Sequence, residues 1–305
     1  MTKPDFNRGT GLLIIEVTGS NPNGDPDLDG APRTIGADQK GLISPVSVKR
    51  KLRDLVADSD GLAMQAARDA LSLSSNARDY GILESRGRRR DEIAAMGRDQ
   101  FVDAYWDARL FGNTFLEKLQ ETPEKKRGKN EPAPDRSHFI STGTVQIGPG
   151  VSIAPIEIER GTLTNKAGVE GDKDRGMAPL AWQFVPHAIY AMPFFVNPMM
   201  AGKSGCTKAD VDLMQFLLPY AYSATASVAR PDVGVLHAWY ATHRSPLGSC
   251  PDWKILDALR PTKRSDPNNS SASRAEYDIP NMLPEEIAGR VDAFEDLCEK
   301  DWSEG

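Results

Sequence analysis

The stretch Gly11–Thr18, reading GLLIIEVT, limits the fold of this chain more than any other. A strand points successive side chains to opposite faces, and Leu12, Leu13, Ile14 and Ile15 make both faces apolar. Such a strand must be covered on both sides and belongs in the middle of a sheet. The loop Asn21-Pro22-Asn23-Gly24-Asp25-Pro26-Asp27 follows it, then a segment from Ser44 to Arg53, SPVSVKRKLR. Ser44 suits an N-cap, and Pro45 suits the first helical position, where no N–H is needed. At helical spacing Val48, Leu52, Leu55 and Val56 form an apolar stripe, and the helix is expected to end near Ala57. Lys49, Arg50 and Arg53 fall together on the far side, and Lys51 flanks the stripe at its other edge.

Three cations on one arc near a helix start suit phosphate groups, because the helix N–H groups there also favour anions. An ordinary solvated face is the alternative. In the preceding loop, Asn-Gly and Asp-Pro are turn signals, and exposed Asn21 and Asn23 are candidates to bond phosphate or ribose oxygens. Asp25 to Gly30 also opens like a calcium loop. The twelfth position, where that motif places a bidentate Glu, is Gly36.

The remaining pattern reads in order. Residues 60–120 are helical in pattern, with LAMQAARDAL as one segment and FVDAYWDARLFGNTFLEKL as a longer one whose aromatics read as core. Two basic runs, Arg86–Arg90 and Lys125–Lys129, are candidates for backbone contact or for plain solvation, the second in an unpackable Pro/Glu/Lys-rich stretch. HFISTGTVQI and VSIAPIEI, split by Gly148-Pro149-Gly150, read as strands. Residues 159–180 read as a projecting loop or hairpin. Trp182–Val196 is strand-like, broken by Pro186 and Pro193. Thr207 opens a helix to about residue 222, and Val233–Thr242 is a further strand. The order is βαββαβ with insertions, that of an α+β, ferredoxin-like fold. Pro284–Lys300 reads as an acidic amphipathic helix.

Composition is that of a globular chain: 39 % hydrophobic and 26 % charged residues in 305. The net charge of −6 argues against a polyanionic partner until its distribution is considered. Residues 40–136 hold 19 basic and 16 acidic side chains, while residues 281–305 hold 2 and 8. Local patches, not the total, decide binding. That acidic end reads equally as a contact for a basic neighbouring subunit or as a solubilising helix. Three scattered cysteines, no apolar leader and no membrane span fit reduced thiols in a cytoplasm.

Several blocks then carry a resemblance. NPNGDPD followed by APR and VSVKRKLR, WDARLFG (Trp106–Gly112), GTVQIGPGVSIAP (Gly143–Pro155), Asp174–Met177, ARP (Ala229–Pro231) and HRSPLG (His243–Gly248) resemble, in order, the Cas-seven backbone subunits of CRISPR surveillance complexes, in their type I-C (Csd-two) form. The resemblance implies a ferredoxin-like (RNA-recognition-type) palm from residues 1–57 and 137–305, a helical insertion (fingers) at 58–136, and a thumb hairpin at about 159–180. It implies a non-catalytic protein without cofactors, whose copies line up along a CRISPR guide RNA. Its further partners would be target DNA through the guide and other Cascade subunits of the Cas-five, Cas-eight and small types. Its blocks nominate Arg33 and Arg230 as RNA contacts, beside the basic helix. Gln146 and Ser152 would face the guide. Lys166 and Arg175 would offer cations at the thumb, and Met177 an apolar tip able to wedge between bases. Ala178-Pro179 stand where the family often has a further basic residue. The aromatic signature of the classical RNA-recognition motif is absent, which fits sequence-blind holding of the backbone.

Gly202-Lys203-Ser204 lacks the first glycine of a phosphate loop, since Asn197 stands there. His237 and His243 share a strand face without an apparent third metal ligand. The enzymatic alternative is a metal-independent guide-processing endoribonuclease, with His138 or His243 as base and Lys49 as oxyanion partner.

Overall fold

The structure is a computed structural model that describes residues 4–73, 80–85, 92–93, 96–114, 140–165 and 178–302. In chain order the main elements are β1 (Gly9–Ser20), β2 (Lys40–Ile43), α1 (Pro45–Ala57), α2 (Leu62–Leu71), α3 (Arg98–Ala104), α4 (Trp106–Phe111), β3 (Val145–Ile147), β4 (Gly150–Pro155), β5 (Glu159–Asn165), β6 (Ala178–Val196), α5 (Lys208–Leu217), β7 (Val233–His243), α6 (Asp252–Leu259) and β8 (Val291–Asp296). They build a mixed α/β fold on one large antiparallel sheet in the order β8-β7-β1-β6-β4-β2, with β3 and β5 also paired to β6. No helix among the described residues is long and apolar enough to cross a membrane.

β1 is central, as its doubly apolar sequence requires. Leu13, Ile15 and Val17 pack with Val48, Leu52 and Leu55 of α1 and Val211, Met214 and Leu217 of α5. Leu12 and Ile14 pack on the other face with Ile255 and Leu259 of α6, Tyr277 and Leu283. Each such side chain removed from water contributes about 1.5–3 kcal/mol, which anchors the fold on this strand.

Glycine lets the neighbouring strands close over β1. Gly11 stands opposite Phe194 of β6 and Tyr240 of β7, whose rings stack at 5.9 Å between centroids. A Cβ on Gly11 would lie 2.1 Å from the Phe194 ring. Gly11→Ala is therefore expected to lower unfolding free energy by about 1–3 kcal/mol in urea titrations; an unchanged midpoint would refute the packing argument.

Local signals hold at both α1 and α5. The Ser44 hydroxyl accepts the Ser47 N–H at the start of α1, with Pro45 next to it. Thr207 and Asp210 complete a capping box at α5. α5 itself ends at Leu217 and gives way to a short turn.

Three expectations need correction. The long helix of WDARLFG is split, because Tyr105 is extended and bridges Gly81, whose carbonyl takes the Trp106 N–H. The prolines of β6 do not break it. Pro186 lies opposite Gly19, which has a positive φ and falls outside the pairing, and Pro193 lies between the rungs to β3 and β4. The hairpin reading of residues 159–180, by contrast, agrees with the ladder of β5 against Ala178–Phe184 of β6. The acidic C-terminal helix is only the turn Glu285–Ala288. Gly289 stops it, and β8 adds to β7 as an edge strand, so tertiary pairing outweighs helical pattern.

Candidate nucleic-acid interface

One end of the sheet gathers the end of β1, the loop before α1, the base of the β5–β6 hairpin and the segment leading into β7. Hydrogen bonds knit them together. The Asn21 amide group donates to Gly30 O at 2.7 Å and to Gln183 O at 3.1 Å, and its backbone N–H donates to Ala229 O. The Asp232 N–H donates to the Ser20 hydroxyl at 2.9 Å. Asn23 Oδ1 accepts the Ser44 N–H at 2.8 Å, which fixes the loop against the helix start. Arg33 pairs with Asp25 at 3.2 Å, and Asp25 also accepts the Asp27 N–H.

This arrangement corrects the expectation of two exposed asparagines. Asn21 is 8 % exposed and Asn23 is half-buried; both spend side-chain groups on the turn. A loop with so many unpaired backbone groups must satisfy them locally, and short amide side chains serve that purpose.

The α1 cations divide three ways. Arg53 is 5 % exposed, with its guanidinium 2.9 Å from Asp107 and 3.0 Å from Glu84. The expected solvated arc is thus wrong at this residue: α4 and residues 80–85 pack over that side of the helix. Arg50 is exposed and pairs with Asp54 one turn on at 2.7 Å, a surface pair worth about 0.3–0.5 kcal/mol and easily exchanged. Lys49 is half-buried, its ammonium 5.1 Å from the centre of the Phe111 ring. Burial, then the neighbouring Arg53 charge, lowers its pKa.

Lys51, which the helical pattern passes over as a flank of the apolar stripe, lies on the opposite edge. Its ammonium donates to Thr225 Oγ1 at 2.6 Å and sits 4.7 Å from the Tyr222 ring centre. Beside it is Arg230, half-buried, with no hydrogen-bond partner for its buried Nε. Nothing in the sequence joins Lys51 to Arg230; only the fold does.

Gln146 is exposed and donates to Gly143 O at 3.1 Å. Gly143 packs so closely on Phe111 and Gly112 that a Cβ would meet Phe111 C at 2.1 Å, which joins Gln146 to the surface under Lys49. Ser152 is buried instead. Its hydroxyl accepts the Gly41 N–H at 2.8 Å and donates to Ala154 O, so it ties β4 to β2 and presents nothing to a ligand. Lys166, Arg175, Met177, His138 and both basic runs lie outside the described residues.

His237 and His243 are placed as structural groups. His237 bonds Asp296 at 2.6 Å and stacks on Trp239. His243 is fully buried, bonded to Thr10 Oγ1 at 2.9 Å and to the Ser249 N–H at 3.0 Å. Thr10 shares its β1 face with Leu12 and Ile14, while Phe111 under Lys49 belongs to the core on the other face. The sheet therefore separates His243 from Lys49, and that pair cannot act on one phosphate. Burial also pushes the Cys206 thiol up, the opposite of activation.

The sequence comparisons bear on this geometry. Residues 7–281 match the family model described as CRISPR-associated protein Cas7. A CRISPR-associated protein Cas7 of Haloferax volcanii is 26 % identical over 221 residues, covering 70 % of this chain and 63 % of the relative, so the chain spans less than two thirds of that relative's length. Among solved structures, a chain of a CRISPR RNA-guided surveillance complex is similar over 83 % of this chain and 76 % of its own, at 16 % identity and a TM-score of 0.41. A chain of such a complex described as pre-nicking is similar over 76 % and 78 %, at 16 % identity and a TM-score of 0.40. With the family model running over most of its length, the chain belongs to the CRISPR-associated protein Cas7 family.

Proposed function

We propose that this chain is a non-catalytic subunit whose copies line up along a CRISPR guide RNA and hold its backbone for pairing with target DNA. Family membership supports this reading. The observation that carries it is the end of the sheet where Lys49, Arg50 and Arg230 lie beside the helix start without a buried carboxylate to hold them. Phosphate contacts of this kind position a strand and carry no sequence information.

The finer reading is a ferredoxin-like palm from residues 1–57 and 137–305, with fingers at 58–136 and a thumb at 159–180. The neighbouring strands β7, β1, β6 and β4, with α1 and α5 on one face, support the palm, and the β5–β6 ladder supports the thumb. Type I-C membership, a cytoplasmic location and contacts with Cas-five, Cas-eight and small subunits are part of the same proposal. Lys166, Arg175 and Met177 remain in it as thumb contacts.

Two single-stranded RNAs of unrelated sequence test it. They should bind with dissociation constants within about threefold of each other, with a log–log salt slope of about 0.7 per phosphate contacted. Lys49→Ala should weaken both equally and reduce the slope by about 0.7. A loss confined to one sequence would contradict backbone holding, and clean cleavage of either RNA would contradict the non-catalytic reading.

A further inference from the structure

Arg230 has a cation beneath it. Lys51 is 6 % exposed, and its ammonium contacts a hydroxyl, Thr225 Oγ1, and the ring of Tyr222. Among the described residues neither Lys51 nor Arg230 forms an ion pair. The charged and titratable groups around Lys51 are Arg230 on the segment before β7, Tyr222 after α5, and Asp54 one turn along α1. Burial, then the Arg230 charge, pulls the Lys51 ammonium down to about 8, and Asp54 opposes them. The Tyr222 hydroxyl is pushed far above this range by burial.

Two like charges held together and partly dried repel each other. Arginine keeps its proton at any working pH, so only two events relieve the pair: Lys51 gives up its proton, or an anion arrives. Arg230 Nε is buried and unbonded, which leaves a donor for that anion. We propose that seating a phosphodiester group at Arg230 is coupled to uptake of one proton by Lys51, which makes Lys51 a protonation-gated positioning residue for single-strand binding. This rests on the nucleic-acid reading above.

The sign follows from linkage. An anion restores Lys51 toward the ordinary lysine range, so above about pH 8 the complex holds a proton that the free chain has lost. Binding is at full strength below about pH 8 and weakens as pH rises through it. Folding runs the other way: the unfolded chain keeps this proton to higher pH, so the charged, buried Lys51 costs stability in full below about pH 8, and the cost falls away as pH rises from there to the ordinary lysine range.

The test is fluorescence anisotropy of the full chain with a single-stranded RNA of adenine and cytosine only, whose bases do not titrate in this range, carrying a pH-insensitive dye. Between about pH 7 and pH 9 the dissociation constant of the unaltered chain should rise about tenfold. Lys51→Arg, charged throughout, should change less than about twofold over that range. Lys51→Met, neutral at every pH, should bind at about pH 7 more weakly than the unaltered chain does even at about pH 9, where the complex still keeps its proton, and its affinity should be independent of pH; this second variant serves if Lys51→Arg misfolds. A flat profile for the unaltered chain, or a full rise retained in Lys51→Arg or Lys51→Met, overturns the coupling. Absence of binding at about pH 7 overturns instead the nucleic-acid reading on which it rests.

Discussion

Asp107→Ala is expected to lower the unfolding free energy by about 3–5 kcal/mol, the cost of stripping one partner from a buried ion pair. Asp107 is almost wholly buried and accepts three donors: Arg53 Nε at 2.9 Å, the Leu83 N–H at 2.6 Å and the Glu84 N–H at 3.1 Å. Its loss leaves the Arg53 guanidinium in the core with only the exposed Glu84 carboxylate to answer it. Arg109 makes the matching contact on the other side of α4, pairing with the buried Asp210 at 2.7 Å, while Trp106 donates to Asp210 O. The WDARLFG block thus ties α4 and residues 80–85 to α1 and α5. Asp54→Ala, which frees an exposed i,i+4 pair, should cost less than about 0.5 kcal/mol. Urea titrations of the two variants decide the matter: similar losses would mean that Arg53 is a surface cation after all.

The double variant Lys49→Glu with Arg230→Glu is expected to weaken single-strand RNA binding by about a hundredfold or more at moderate salt, and to flatten the salt dependence. The two residues sit on different edges of α1, so a strand crossing the helix start would meet both. Charge reversal at Arg264, an exposed arginine paired with Asp278 in the C-terminal covering segment, should leave affinity within about twofold. Equal losses from both variants in filter-binding assays would assign binding to net charge and not to this surface.

The sequence carried the frame because its signals were local. Gly11–Thr18 demanded burial on two faces, and β1 has it. Ser44-Pro45 and the Thr207–Asp210 box set two helix starts correctly. The errors came where distant segments decide. Arg53 read as solvated because nothing in its helix shows that α4 will cover it. Ser152 read as a ligand contact beside a turn, yet the fold places the Gly41 N–H against its hydroxyl. Val291–Asp296 read as helix because its charges are spaced for one, and the free edge of β7 took it as a strand. Lys51 read only as a flank of the stripe for the same reason: the cation that burial depresses is the one whose long stem follows the apolar stripe.

Whether the chain holds a guide RNA is decided by purifying it from cells that also express a CRISPR array and extracting the nucleic acid that accompanies it. RNA of one discrete guide length should accompany the chain, protected along its backbone, and should be largely lost from the Lys49→Glu, Arg230→Glu double variant. Protein free of RNA, or carrying fragments of random length to the same extent as the variant, would contradict guide holding.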